Sequence, residues 1–399
     1  MQEQINKRIL SIDVLRGLVM LIMALDHARD FFHAEANTAD PMDLATTTPL
    51  LYFTRWITHF CAPVFVFLSG ISIYLQGLRK SAAELSRFLI LRGLWLIVAE
   101  VLLISFGWTF NPFYTILAFQ VIWAIGISML LIGVLMFLKA SYRVILFIGL
   151  SIVLLHNMLD YYEASATYTP GFWGDLLHHG VFKPYHIIGN HYVLIVYPFL
   201  PWLGLMMTGY ACGVLYSKES NALIRHKVFL WGGWGLIALF VLLRYSKFYG
   251  EKNDWSIQQN DLLTLMSFLN TTKYPPSLAY MLMTIGPAML LLVYLEKAKG
   301  AIASTLLVFG QTAFFYYILH IYLIHLITVL LFFWRGHQLN EVIQSAGKQP
   351  FLFVVPGEGF SLGGVYGMWL LVLILLYPFC SRFNAYRNRH KEKTWLRYI

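Results

Sequence analysis

The sequence predicts an all-α, polytopic integral membrane protein with about ten transmembrane helices and both termini cytoplasmic. Three observations carry that expectation. Of 399 residues, 58% are hydrophobic, 17% aromatic and only 12% charged, and the mean hydropathy is +0.63, well outside the range of soluble domains. Apolar runs approaching the roughly 20 residues that cross a bilayer recur along the chain. Lysine and arginine are sorted between the two sets of connecting loops.

The runs fall at about 9 to 32, 56 to 78, 87 to 107, 115 to 138, 142 to 159, 192 to 216, 227 to 244, 277 to 296, 303 to 334 and 361 to 381. An even number of spans puts both termini on one side. Loops on that side hold 19 of the 29 Lys and Arg residues, including Lys7, Arg8, Lys218 and the tail, whereas the opposite loops hold nine, Lys348 among them. The excess marks the cytoplasmic face. The first run is too long for a signal-peptide core, carries charges and lacks a small-x-small cleavage site, so it is expected to be a retained span. The net charge of +9 follows from these basic loops and needs no nucleic-acid partner. Cys61, Cys212 and Cys380 lie in or beside apolar runs without metal-like spacing, which argues against a disulfide framework or a zinc site. No internal repeat, low-complexity tract or soluble insertion divides the chain, so residues 1–399 read as one transmembrane domain.

Span 1 reads R-I-L-S-I-D-V-L-R-G-L-V-M-L-I-M-A-L-D-H-A-R-D-F-F from Arg8 to Phe32. Charges inside a span are costly and are tolerated where they face a bundle interior or a wet cavity. Arg16 and His27 stand eleven positions apart, hence on one helix face and about 16 Å apart along the axis. In one reading Arg16 pairs with Asp13 and His27 is a polar helix end. In the other His27 is a general base or acyl-accepting nucleophile, with Asp26 or Asp30 available to orient its ring. His59 to Ser72 then reads H-F-C-A-P-V-F-V-F-L-S-G-I-S, and Arg79, Lys80, Arg87 and Arg92 follow on the cytoplasmic side. That cluster is either ordinary positive-inside bias or a pocket for phosphates. Ser69 and Gly70 suit the close approach of a narrow ligand, or of another helix.

These segments, with G-Q-T-A-F-F-Y-Y-I-L-H from Gly310 to His320, resemble the membrane-integral acyltransferase superfamily. The resemblance is closest to bacterial members of its heparan-alpha-glucosaminide N-acetyltransferase-like branch, whose W-T-P-S segment K-Y-P-P-S (Lys273 to Ser277) resembles. It implies a bundle that takes an acyl group, usually acetyl, from cytosolic acetyl-CoA and delivers it to a hydroxyl or amine of an extracytoplasmic sugar or glycolipid. It further implies a place in the bacterial inner membrane, among membrane lipid. Arg16, Ser69, Gly70, Arg79, Lys80, Arg87, Arg92 and His320 would then hold the donor, and His59, Lys273, Tyr274 and Trp173 the acceptor. The animal enzymes carry asparagine at the position of His27 and place their histidine in the loop after it, which leaves His33 and, less directly, His59 as rivals for the base. Phe314 departs from the usual tyrosine of the late helix, whereas Tyr317 and His320 match. Direct transfer and an acyl-histidine route both stay open.

His178, His179, His186 and His191 crowd one external loop without ligand spacing, so no metal is expected. That loop, 160 to 191, carries F-W-G-D-L-L-H-H and is expected to hold a short surface helix. Glu100, alone in span 3, is expected to pair with a histidine or arginine of another helix. A proton-coupled transporter or a non-catalytic envelope scaffold would also suit buried charges, but a transporter usually shows two related halves. A homodimer is an open expectation.

Overall fold

The computed structural model describes residues 9–36, 38–180, 182–217, 220–345 and 350–398. Lys7, Arg8, Lys218 and Lys348, together with the side chain of Arg397, lie outside that description. The chain is mostly helical, as expected of an integral membrane protein. In order, the helices are α1 (Leu10–Phe32), α2 (Pro49–Thr58), α3 (Cys61–Gly77), α4 (Ala82–Ala99), α5 (Ser105–Thr109), α6 (Val121–Phe137), α7 (Tyr142–Leu155), α8 (Met158–Glu163) and α9 (Phe172–Leu177). After these come α10 (Phe199–Cys212), α11 (Ala222–Ser246), α12 (Asp261–Leu269), α13 (Leu278–Tyr294), α14 (Ala301–Gln311), α15 (Ala313–Trp334), α16 (Leu339–Ser345) and α17 (Leu362–Arg389).

Every one of the ten apolar stretches contains helix. Among the described residues, seven helical segments are long and apolar enough to cross a membrane. α1 has the length, at 23 residues, but its charges set it apart. α6 and α7, at 17 and 14 residues, are shorter than the sequence suggests. α6 is shortened because the start of its stretch goes into a sheet that periodicity did not reveal, and α7 because its stretch turns at His156 and Asn157 into α8. β1 (Ile116–Phe119) pairs parallel with β3 (His191–Ile195), which pairs antiparallel with β2 (Pro184–Ile188), in the order β1-β3-β2. β-branched and aromatic residues in short runs serve strand and buried helix alike, so hydropathy alone does not separate them. Span 2 begins earlier than expected, at Pro49, because Thr48 accepts the Leu51 N–H at 3.3 Å as an N-cap and proline fits the first helical turn. Span 9 breaks at Thr312 into α14 and α15.

Small residues let the spans approach, since apolar burial gives little drive between helices already in lipid. A Cβ on Gly17 would lie 1.9 Å from the Leu306 carbonyl oxygen, and one on Gly310 would lie 1.8 Å from that of Asp13. α1 and α14 therefore touch backbone to backbone. Gly70 and Gly209 do the same for α3 and α10, where Cβ atoms would meet the carbonyls of Met206 at 2.1 Å and Phe67 at 2.2 Å. The core around α1 includes Leu15, Met20, Phe67, Leu68, Trp202, Tyr280 and Tyr316, all buried.

Candidate active site

α1 carries Arg16 near one end and His27 near the other, and each opens on its own space. Near the start, Arg16 donates to Asp13 Oδ1 at 2.8 Å and to Ser72 Oγ at 2.9 Å. It stands on the wall of a cavity of about 2060 Å³ that is also lined by Ser69, Arg79, Lys80, Arg87 and Arg92. The basic residues singled out from the sequence are thus brought together. Arg225, Arg387, Thr394 and Tyr398 join the same wall, from segments that sequence spacing does not connect to it. The carboxylates nearby are engaged: Glu84 closes a capping box with Ser81, and Glu296 accepts from Arg225 at 2.8 Å and from His226 at 2.6 Å. Gly70 lies on α3 against the α10 backbone, so its smallness serves helix packing.

Near the other end of α1, His27 lines a small chamber of about 50 Å³ with Asp26, Thr58, Cys61, Gln120, Tyr197, Lys273 and Tyr317. This has room for a few waters. Phe65 and Ile122 line both the chamber and the basic cavity, so the two spaces adjoin across those side chains.

Nδ1 of His27 lies 2.7 Å from Nε2 of His320, and Nδ1 of His320 lies 3.0 Å from the Tyr316 carbonyl oxygen. A carbonyl only accepts, so Nδ1 of neutral His320 carries the proton and its Nε2 presents a lone pair. His27 then donates from Nδ1, which leaves the lone pair on Nε2 of His27. Trp108 meets the His27 ring edge-on at 4.7 Å, and Tyr317 at 6.4 Å. The group that orients His27 is therefore His320. Asp26 and Asp30, the expected orienting groups, face arginines instead: Arg29 donates to Asp26 at 3.0 Å and to Asp30 at 2.6 Å, and Arg55 donates to the other oxygen of Asp26.

Trp108 reaches the His27 ring through an irregularity. Between α4 and α5 the helix widens to a π turn at Glu100–Ile104, a feature often found at functional sites. Glu100, fully buried there, accepts the Trp123 N–H at 2.7 Å. It caps the first turn of α6, where a helix leaves its N–H groups without partners, and so corrects the expectation of a histidine or arginine partner. The cap fixes Gln120 and Ile122 at the chamber wall.

Lys273 arrives from the loop before α13. Glu251 accepts from the Thr272 N–H at 3.1 Å, from the Thr272 hydroxyl and from the Ser277 hydroxyl at 2.7 Å, while Ser277 caps α13 through the Tyr280 N–H at 3.0 Å. Arg244 donates to the carbonyls of Asn253, Ser267, Phe268 and Asn270 and ties the preceding loop down. Tyr274 packs on Tyr197, at 5.4 Å, behind Lys273.

Other expected site residues lie elsewhere. His33 ends α1, its ring accepting the Glu35 N–H at 3.3 Å, and lines neither space. Partial burial holds its imidazole below the ordinary histidine range. His59 is buried against Tyr280, with ring centroids 5.6 Å apart, and is likewise outside the chamber lining. Trp173 sits on α9, the expected short helix, but is 77% exposed and packs on Phe172. His178 and His179 are buried, paired with Glu163 and Asp175. Of the two histidines on α15, His325 meets the carbonyls of Gly107 and Leu352, so only His320 shares the site with His27.

The family model described as heparan-alpha-glucosaminide N-acetyltransferase, catalytic, matches residues 8–244, more than half of the chain. The chain belongs to this family. It is a multi-pass membrane protein of an acetyltransferase family, in line with the resemblance read from its motifs. No curated protein matches the chain. The matched residues include Arg16, His27 and the basic cluster. Lys273 and His320 lie beyond the match, and it is the fold that carries Lys273 to the chamber wall and His320 to His27.

Proposed function

We propose that this protein transfers an acetyl group from cytosolic acetyl-CoA to a hydroxyl or amine of an extracytoplasmic sugar or glycolipid, with His27 as the general base. It would act across the bacterial inner membrane as a bundle of ten spans with both termini inside. The observation that carries the proposal is the adjacency of the two spaces: a large basic cavity at one end of α1 and a histidine chamber at the other, divided only by a shared wall at Phe65 and Ile122.

The donor supplies phosphates to be held and a thioester to be attacked. The cavity is larger than the roughly 300–1,000 Å³ of common ligand pockets, and Arg79, Lys80, Arg87, Arg92 and Arg16 on its wall suit phosphate oxygens. A narrow arm running past Phe65 and Ile122 would bring the thioester to His27. The acceptor's oxygen or nitrogen bonds to the carbonyl carbon while its proton passes to Nε2 of His27. The carbon–sulfur bond breaks, and the proton is handed on to the departing sulfur. Throughout, His320 holds the His27 tautomer, and Lys273 offers a cation to the negative charge that develops on the carbonyl oxygen.

The transporter and scaffold readings are set aside on the same grounds, since neither requires a basic cavity backing onto an oriented histidine pair. The test is a paired assay on detergent-purified protein. Acetyl-CoA should raise its melting temperature whereas sodium, potassium and amino acids do not, and His27→Ala should keep that stabilisation while losing transfer to an amino sugar. Turnover retained in His27→Ala would move the base to His33 or His59, and stabilisation by sodium, potassium or an amino acid in place of acetyl-CoA would favour transport.

A further inference from the structure

Among the described residues, one group of possible metal ligands lies outside the two spaces. We propose that Asp160, Glu163 and His178 form a divalent-cation site of the zinc class, which fastens the segment between α7 and α10 to the bundle. Asp160 and Glu163 are three residues apart on α8 and share a face. His178 directly follows α9. One ligand atom from each residue lies within 4.8 Å of the other two.

A second observation points to a ligand. The Glu163 side chain is 4% exposed and that of His178 1%. Oε1 of Glu163 accepts from His178 Nδ1 at 2.8 Å, but its Oε2 is buried and has no hydrogen-bond partner. Leaving a buried carboxylate oxygen unpaired beside a second carboxylate is costly, and a cation removes both penalties at once. The spacing of Nδ1 and Oε1 also suits a shared ion, since bonds of about 2.0–2.1 Å put neighbouring ligands about 3 Å apart.

The surroundings resemble the outer shell that orients metal ligands. Nε2 of His178 lies 3.1 Å from Nδ1 of His156, a buried residue. Asn157 donates to Asp160 Oδ2 at 2.6 Å and accepts the Leu278 N–H at 2.8 Å, which couples the cluster to the first turn of α13. One imidazole with two carboxylates favours zinc or a similar first-row dication, because calcium and magnesium prefer oxygen ligands throughout. The histidine-rich loop hid this arrangement in the sequence, because the carboxylates come from α8 and only one of the four histidines takes part.

The test uses the full-length protein in detergent, stripped with a chelator and then titrated with zinc chloride. The expected result is about one zinc per chain by elemental analysis, a raised melting temperature, and slower proteolysis within 164–171. Asp160→Asn and the near-isosteric Glu163→Gln should each lose the zinc and the protection, while the exposed-site variant His186→Ala keeps both. Zinc content unchanged in Asp160→Asn and Glu163→Gln, no zinc bound by the native chain, or equal stabilisation by magnesium or calcium would each overturn the proposal. Failure here leaves the acetyl-transfer reading untouched, since none of these residues lines the cavity or the chamber.

Discussion

His27 and His320 sit 293 positions apart in the chain yet 2.7 Å apart in space, and the hydrogen bond between them decides which nitrogen of His27 keeps its lone pair. His27→Ala should lower acetyl transfer by about 10²-fold or more, the usual contribution of a positioned base. His320→Ala leaves the base present but its tautomer unfixed. The expected outcome is a fall in kcat of about ten-fold or more with little change in the KM for acetyl-CoA; an equal loss through KM alone would make His320 a donor contact. The Arg16 and His27 pair was legible from spacing on one helix, whereas the motif singled out His320 as a donor contact and not as the partner of His27. Arg55, which claims Asp26, and Trp108, which meets the His27 ring, were not legible. The first pairs across separate helices and the second depends on a π turn, and neither leaves a periodic trace in the sequence.

At the scale of elements, α1 is held by contact rather than by apolar pattern. Gly310→Ala places a methyl group 1.8 Å from a backbone oxygen, which the helices can only relieve by moving apart. Overpacking of this kind costs about 1–3 kcal/mol, so the melting temperature should fall and the mouth beside Arg16 should deform, weakening acetyl-CoA binding as well. Sequence reading assigned Gly70 to ligand approach or helix packing, and only the crossing with α10 decided between them. The strands were missed for a related reason: short β-branched runs at the ends of α6 and α10 look like helix when only hydropathy is counted. α16 offers a pH test outside the spans. His337 bridges Glu341 at 2.8 Å and Glu358 at 2.9 Å, and both hydrogen bonds raise its pKa above the ordinary value. A raised folded-state pKa gives stabilisation that is complete below the unfolded value of about 6.5 and fades as pH rises through the folded value. Hydrogen exchange within 337–345, corrected for intrinsic rate, should therefore quicken as the pH is raised above the ordinary histidine value of about 6.5. The bridge is solvent-exposed, so global stability should hardly change, and a uniform exchange response along the chain would contradict this.

For the whole molecule, the basic loops, the start of α1 and the tail around Thr394 and Tyr398 close on one cavity, while the loops before α3, α6 and α13 close on the chamber at the other end. Hydropathy and charge sorting made the helical membrane class and this polarity legible. The number of helices that qualify as spans by length was less so, because α6 and α7 give residues to irregular and extended structure. Replacing Arg87 and Arg92 with Gln together should weaken acetyl-CoA binding by about ten-fold or more and leave acceptor KM unchanged, as measured by titration calorimetry and steady-state kinetics. The central claim is that donor and acceptor meet at His27 from opposite faces. It is tested most directly in proteoliposomes of sided protein, with acetyl-CoA added only at the face bearing Arg79 to Arg92 and an amino sugar trapped on the other. Acetylated sugar inside, with all coenzyme A remaining outside, is the expected result; product formed only when both substrates share one face would contradict the account.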